Sequence, residues 1–276
     1  RAVGAVLGPG RPAHVLRPLT AMLFTPEERQ RYARHLDLPG FGAPAQERLR
    51  AGRVLVVGCG GLGSPALFYL AAAGVGRLGL VDSDRVEISN LQRQILHATP
   101  DIGRPKVDSA VGRLRALNPH VRFVPHQDRL DAENARDLFA PYDVILDCTD
   151  NFAAKYLVND VCVAMKKPFV HAGISGFCGQ LMTVQPGQSA CLRCLFPAPP
   201  PLAAPEAAPT AGPLGAIPGV VGSLQAVEAI KFLAGVGALL TDVLLTYDGL
   251  EVEFRPLHAK RDPACPACGA GAHPKE

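Results

Sequence analysis

Gly58, Gly60 and Gly63 form a G-x-G-x-x-G loop directly after the apolar run 53–57 and just before an apolar helical pattern. Glycine allows a tight turn and lets the backbone approach a phosphate closely. The start of the following helix adds free N–H groups and the positive end of its dipole. Asp82 follows about 20 residues further on, at the end of a second apolar run, where a carboxylate can accept hydrogen bonds from ribose hydroxyls. Alone, such a glycine loop is as often a structural turn. Strand, helix and acid together point to a nucleotide without saying which. No Gly-Lys follows, so the loop is not a Walker A.

Of eight cysteines, four fall in two Cys-x-x-Cys pairs, Cys191 with Cys194 and Cys265 with Cys268. Each pair offers two thiolates close enough for one tetrahedral ion, and the long separation suits a structural Zn²⁺ clip between distant segments. The competing reading is a redox dithiol, which a thioredoxin-like helix start would favour; the pattern shows none. A secreted disulfide framework is not expected in a chain of this length with a nucleotide-type loop and no clear signal peptide. A reducing cytoplasm fits better.

These residues must be positioned by alternating elements. Thr25, Pro26 and Glu28 form a helix-start signal, predicting a helix to about Leu36. Strands are predicted at 53–57, 77–81, 121–125, 143–147 and 168–172, and helices from Gly63 to about Ala73, over 105–117, between the third and fourth strands, and over 152–165. That alternation implies a Rossmann-like α/β fold, a mostly parallel sheet with helices on both faces. Segments 174–185, 242–247 and 250–255 continue it with antiparallel strands, interrupted by a helix over about 220–234. Residues 197–218 hold eight prolines among many alanines and read as a mobile surface connection.

At 276 residues with a net charge of only +3, the composition is globular and gives no reason to expect nucleic acid or a membrane surface as a partner. The longest apolar stretch is broken by glycine and polar residues before a membrane span is complete. Residues 1–21 carry two Arg-Pro pairs and no acid, and read as a disordered extension.

The run Val81-Asp82-Ser83-Asp84-Arg85-Val86-Glu87-Ile88-Ser89-Asn90-Leu91-Gln92-Arg93-Gln94 is not that of a dehydrogenase. With Gly103-Arg104-Pro105-Lys106 and Asp147-Cys148-Thr149-Asp150-Asn151, it closely resembles the ThiF/MoeB/HesA family, bacterial relatives of ubiquitin-activating enzymes. The resemblance covers about residues 25–270. It implies one adenylation domain over 22–276, with a nucleotide-binding part at about 50–172 and a carrier-binding and zinc part at about 173–276. It implies adenylation by ATP of the C-terminal carboxylate of a ubiquitin-like, MoaD- or ThiS-like sulfur-carrier protein ending in Gly-Gly. Gly61 would lie against the nucleotide and Asp82 on the ribose. Asn90, Arg93 and Lys106 would meet the phosphates, and Asp150 would hold Mg²⁺. Gly58, Gly60, Gly63, Asp84, Ser89, Leu91, Gln92 and Asn151 would complete the nucleotide site. Arg34 matches an arginine that reaches into the partner subunit's site, so a homodimer is implied. The four paired cysteines match the family's zinc ligands.

The residue types suit that chemistry. A carboxylate meeting the α-phosphorus of ATP brings two anionic groups together, and cations must neutralise the charge that develops. Many relatives carry a cysteine in the loop before the helix near residue 220. Residues 197–218 have none, so no thioester or acyl disulfide is expected from this loop. Nor does a rhodanese domain follow, so sulfur is expected from a separate donor protein. The remaining Cys59, Cys148, Cys162 and Cys178 read as small core hydrophobes. Three other readings compete. One is a tRNA threonylcarbamoyladenosine dehydratase-like enzyme, which calls for a more basic surface. Another is a NAD-dependent oxidoreductase, which leaves Arg93, Lys106 and Asp150 unexplained. The third is a non-enzymatic scaffold for a ubiquitin-like partner.

Overall fold

Val54 and Val56 point to one face of a sheet and Leu55 and Val57 to the other, and all four are buried. A strand with no solvent side must lie in the middle of a sheet covered on both faces. In the computed structural model, which describes residues 24–199 and 212–270, this strand is β1 (Arg53–Val57). It runs parallel with β2 (Arg77–Val81), β3 (Arg122–His126), β4 (Val144–Asp147) and β5 (Phe169–Ser175). Antiparallel strands β6 (Cys178–Val184), β7 (Val243–Asp248) and β8 (Glu253–His258) extend the sheet. Its order is β3-β2-β1-β4-β5-β6-β7-β8.

The chain therefore steps outward from β1 on one side, then returns to build the other side from β4. Carboxyl ends of strands open a crevice at such a reversal, and ligands bind there. The glycine loop leaves β1 and the segment Cys148–Asn151 leaves β4, so the crevice lies between them.

Helices α1 (Pro26–Arg31), α2 (Ala33–Leu36) and α3 (Gly42–Ala51) precede the sheet. With α3, helices α4 (Gly63–Ala72), α5 (Lys106–Leu117) and α9 (Ala216–Ala234) pack on one face. The other face carries α6 (Ala135–Phe139), α7 (Phe152–Ala164) and the paired cysteines, of which Cys191 caps and Cys194 lies within the short α8 (Leu192–Leu195).

Several details differ from the sequence-based expectation. The capping box forms as predicted, but the helix breaks at Tyr32. Tyr32 is buried there, with its hydroxyl accepting a 2.8 Å hydrogen bond from Asn118. The unpredicted α3 is masked by Gly42 and Pro44 at its start, yet its buried Ala45, Gln46 and Leu49 keep helical spacing. Residues 250–252 form the turn rather than the last strand, which begins at Glu253. Helix α9 starts at Ala216, so the end of the proline-rich stretch is ordered, with Ile217 and Pro218 buried. The rest of that stretch and residues 1–21 lie largely outside the described residues. By length and apolarity α9 resembles a membrane span, contrary to the sequence reading. Its Gln225 and Glu228 are buried against the sheet, which makes it a core helix. Cys59, Cys148 and Cys162 are buried as expected, whereas Cys178, at the start of β6, is exposed.

Candidate active site

The glycine loop is shaped by close backbone approach. Gly58 sits at φ +99°, and a Cβ there would lie 2.6 Å from the Cys148 carbonyl oxygen. A Cβ on Gly63 would lie 1.9 Å from the Gly58 oxygen. Only glycine fits either place. The N–H groups of Gly60, Gly61 and Leu62 make no hydrogen bond among the described residues. Three unpaired donors at a helix start form a cradle for an anion.

Asp82 holds this loop from the end of β2. Its carboxylate accepts from the Cys59 N–H at 2.8 Å and the Asp84 N–H at 2.9 Å. Burial pushes its pKa up, opposed by nearby Lys106 and those two N–H groups. Lys106 opens α5 and is nearly buried, with Nζ 2.8 Å from Asp84 Oδ2. A short helical turn, Ile88–Asn90, precedes Arg93, whose Nη1 donates to the Ser89 carbonyl at 3.1 Å. Gln94 is buried with its amide against Gly60, and its Oε1 has no partner.

Across the crevice, Asp147 is fully buried at the end of β4. Thr149 donates to its Oδ1 from both N–H (3.1 Å) and Oγ1 (2.6 Å), which folds the chain back and leaves Asp150 exposed at the rim. His171 Nδ1 lies 2.7 Å, and Lys155 Nζ 3.5 Å, from Asp147 Oδ2. Burial alone would raise the Asp147 pKa. Lys155 and the His171 and Thr149 hydrogen bonds overcome that and hold it at about 2. Asn151 caps α7, accepting from the Ala154 N–H at 2.9 Å.

The residues predicted for catalysis and the nucleotide lie on the segments that border this crevice, all but one. Arg34 is exposed on α2. Its neighbour His35 hydrogen-bonds Gln46, which in turn reaches the Ala73 carbonyl. That places Arg34 beside the C-terminal end of α4, whereas the glycine loop lies at the N-terminal end. Within one chain it does not join the site.

The sequence pattern does not mark Gln94, His97, Asp147, Lys155, His171 or Gln225 as site residues, although all shape the crevice. Gln94 and Asp147 lie inside the motifs quoted above. Gln225 had a readable signal: a polar residue in register with the apolar Val221 and Ala229 of one helical face.

Away from the crevice, the four paired cysteines meet. Their sulfurs lie within 4.8 Å of one another, with Cys191–Cys265 at 3.6 Å, Cys194–Cys268 at 3.4 Å and Cys191–Cys194 at 3.9 Å. Four sulfurs placed about 2.3 Å from one tetrahedral ion would sit about 3.8 Å apart, so the donor set fits zinc. Burial and the neighbouring thiols push the Cys191 thiol up, a crowding that a bound cation would relieve.

A family model described as "ThiF family" matches residues 32–267. The chain belongs to the ThiF family. Among its relatives, a sulfur carrier protein adenylyltransferase of Thermus thermophilus is 50% identical over 253 residues, covering 90% of this chain and 93% of that protein. A SAMP-activating enzyme E1 of Haloferax volcanii is 47% identical, covering 87% and 89%. The adenylyltransferase and sulfurtransferase MOCS3 of Bos taurus is 48% identical, and the matched region covers 94% of this chain but 56% of that longer protein. The crystal structure of E. coli MccB superposes with a TM-score of 0.77 at 23% identity, over 90% of this chain and 75% of that one. This last likeness is one of fold.

Proposed function

We propose that this ThiF-family protein uses ATP to adenylate the C-terminal glycine carboxylate of a ubiquitin-like sulfur-carrier protein, releasing pyrophosphate. The observation that carries the reading is the crevice between β1 and β4. It brings together unpaired N–H donors from Gly60 to Leu62, the buried cation of Lys106 and the exposed carboxylate of Asp150. The name of the 50%-identical Thermus relative supports the same acceptor.

In this reading the loop N–H groups and Lys106 hold ATP phosphates, joined by Asn90 and Arg93, while Asp82 takes the ribose. Asp150 holds Mg²⁺, which supplies positive charge against the phosphate oxygens when bound. The incoming carboxylate needs no general base, because a chain terminus with a pKa of about 3.5 is already ionised at neutral pH. The protein's task is to overcome repulsion between anions, and Lys106 and Arg93 serve it by fixed charge.

The reading includes a homodimer in which Arg34 of each copy serves the site of the other. Arg34 is exposed and far from its own crevice. Beside it, an apolar groove lined by His35, Tyr69, Ala73, Val227 and Ile230 runs between α4 and α9. The four-cysteine cluster holds a structural Zn²⁺, since four thiolates leave no open position for catalysis. With no cysteine in residues 197–218, the enzyme releases its product as the acyl-adenylate.

ATP–pyrophosphate exchange that depends on a Gly-Gly carrier tests the function. Exchange should appear with the carrier and vanish when its terminal glycine is removed. Absence of exchange with every Gly-Gly carrier of the source organism would overturn the reading.

A further inference from the structure

Helix α9 packs against both the glycine loop and the segment that leaves β4. A Cβ on Gly215, just ahead of α9, would lie 2.0 Å from the Gln92 carbonyl oxygen. Pro218 packs against Gly61, where an added Cβ would lie 3.1 Å away. A Cβ on Gly222 would meet the Leu62 oxygen at 2.2 Å. These contacts press one face of the helix against the nucleotide loop.

On the same helix, Gln225 is fully buried at the floor of the crevice. Its Nε2 donates to the Asp147 carbonyl at 2.9 Å and the Val170 carbonyl at 3.1 Å. Both acceptors are carbonyls, so the amide orientation is fixed. Its Oε1 accepts from the Cys148 thiol at 3.3 Å. Burial keeps that thiol protonated, and therefore a donor.

The β4–β5 ladder ends at the Asp147–His171 pair, and the chain then leaves the sheet toward Asp150. In that parallel register the ladder engages one lone pair of the Asp147 and Val170 carbonyls, and each carbonyl can accept a second hydrogen bond. Gln225 adds that second hydrogen bond to both from outside the sheet and ties the departing segment to the helix that also packs on Gly61 and Leu62. The distance between the phosphate cradle and Asp150 is thus set through α9.

We propose that Gln225 is a positioning residue that fixes the metal-holding carboxylate of Asp150 relative to the glycine loop. This rests on the reading of the crevice as an ATP–Mg²⁺ site. The role is distinct from packing, because one donor hydrogen of the amide holds the Asp147 carbonyl, three residues before Asp150, and the other holds Val170 on the neighbouring strand.

The test uses the full-length protein with its carrier and measures exchange against Mg²⁺ concentration at saturating ATP and carrier. In Gln225→Met, which keeps length but has no donor, half-saturating Mg²⁺ should rise about tenfold, the usual effect of losing support behind a metal ligand. The KM for carrier should stay within about twofold, because uniform carrier binding is untouched. Gln225→Glu, protonated in this buried place, keeps one donor hydrogen and should fall between wild type and Gln225→Met. A lowered melting temperature with unchanged Mg²⁺ dependence in both variants would overturn the inference while leaving the proposed function intact. Failure of both variants to fold would assign Gln225 to fold stability alone and overturn it equally. Loss of exchange in the wild type would instead defeat the underlying reading of the site.

Discussion

The Nε2–H of His97 donates to the carbonyl oxygen of Cys59 at 3.0 Å, joining the glycine loop to the segment that carries Arg93. A carbonyl can only accept, so Nε2 holds the proton, and the neutral ring accepts at Nδ1 from Ser109 Oγ, 2.9 Å away. Ser109 lies on α5, one turn beyond Lys106. Three pieces of the crevice therefore meet on one buried imidazole.

Burial lowers the folded-state pKa of His97, and of His126 and His171 as well. Below the ordinary imidazole value of about 6.5 the unfolded chain then binds more protons than the folded one. The stability contribution is complete above that pH and is lost as pH falls from there toward the folded-state pKa. Urea midpoints should fall between pH 7.5 and 5.5, and less steeply in His97→Gln. Equal slopes in wild type and variant would rule out His97 as a contributor.

Asp147 is buried, yet Lys155, His171 and Thr149 hold its pKa at about 2. Its lowered pKa contributes stability above the ordinary carboxylate value, lost as pH falls through that interval. Asp147→Asn should remove this acid-sensitive component. It should also destabilise by about 3 kcal/mol, because the cation of Lys155 loses its buried counter-charge. Denaturant unfolding at pH 7 measures the cost, and a change below about 0.5 kcal/mol would mean that water satisfies Lys155 instead.

Both faces of the central strands were legible because β1, β2 and β4 are continuous apolar runs with no polar side to hide. The crevice was legible because its glycines, Asp82 and Asp150 stand at strand ends. What escaped is buried polar support. Gln225 and His171 sit in apolar patterns, where their pairing depends on elements far away in sequence. The break at Tyr32 escaped for a related reason, since it depends on Asn118 and on the space above Gly74, where an added Cβ would lie 2.5 Å from the tyrosine ring. Arg34 is singled out only by resemblance, because among the described residues of its own chain no partner engages it.

The zinc assignment makes its own prediction. Metal analysis of purified protein should find one zinc per chain. Cys265→Ser or a strong chelator should loosen the C-terminal segment that the cluster ties to α8. Structural zinc is held through folding free energy, so the melting temperature should drop while ATP affinity, set across the sheet, changes little. Protein free of zinc with an unchanged melting temperature would return the four thiols to the redox reading.

Shared sites can be tested by complementation. Lys106→Met removes the buried cation from exposed Asp84 and from Asp82, which keeps its two backbone N–H donors. Exchange should therefore fall about 10²-fold or more while stability stays near wild type. Arg34→Ala lies on an exposed surface and should fold normally, yet it should also lose exchange if each Arg34 serves the other copy. In a mixed dimer of the two variants, one crevice would carry both defects and the other neither. Equal mixtures allowed to exchange subunits form mixed dimers about half the time, so about a quarter of wild-type activity should return. If Arg34 acted within its own chain, every crevice would keep one defect and mixing would restore nothing. Recovery on mixing thus separates a shared site from two independent ones.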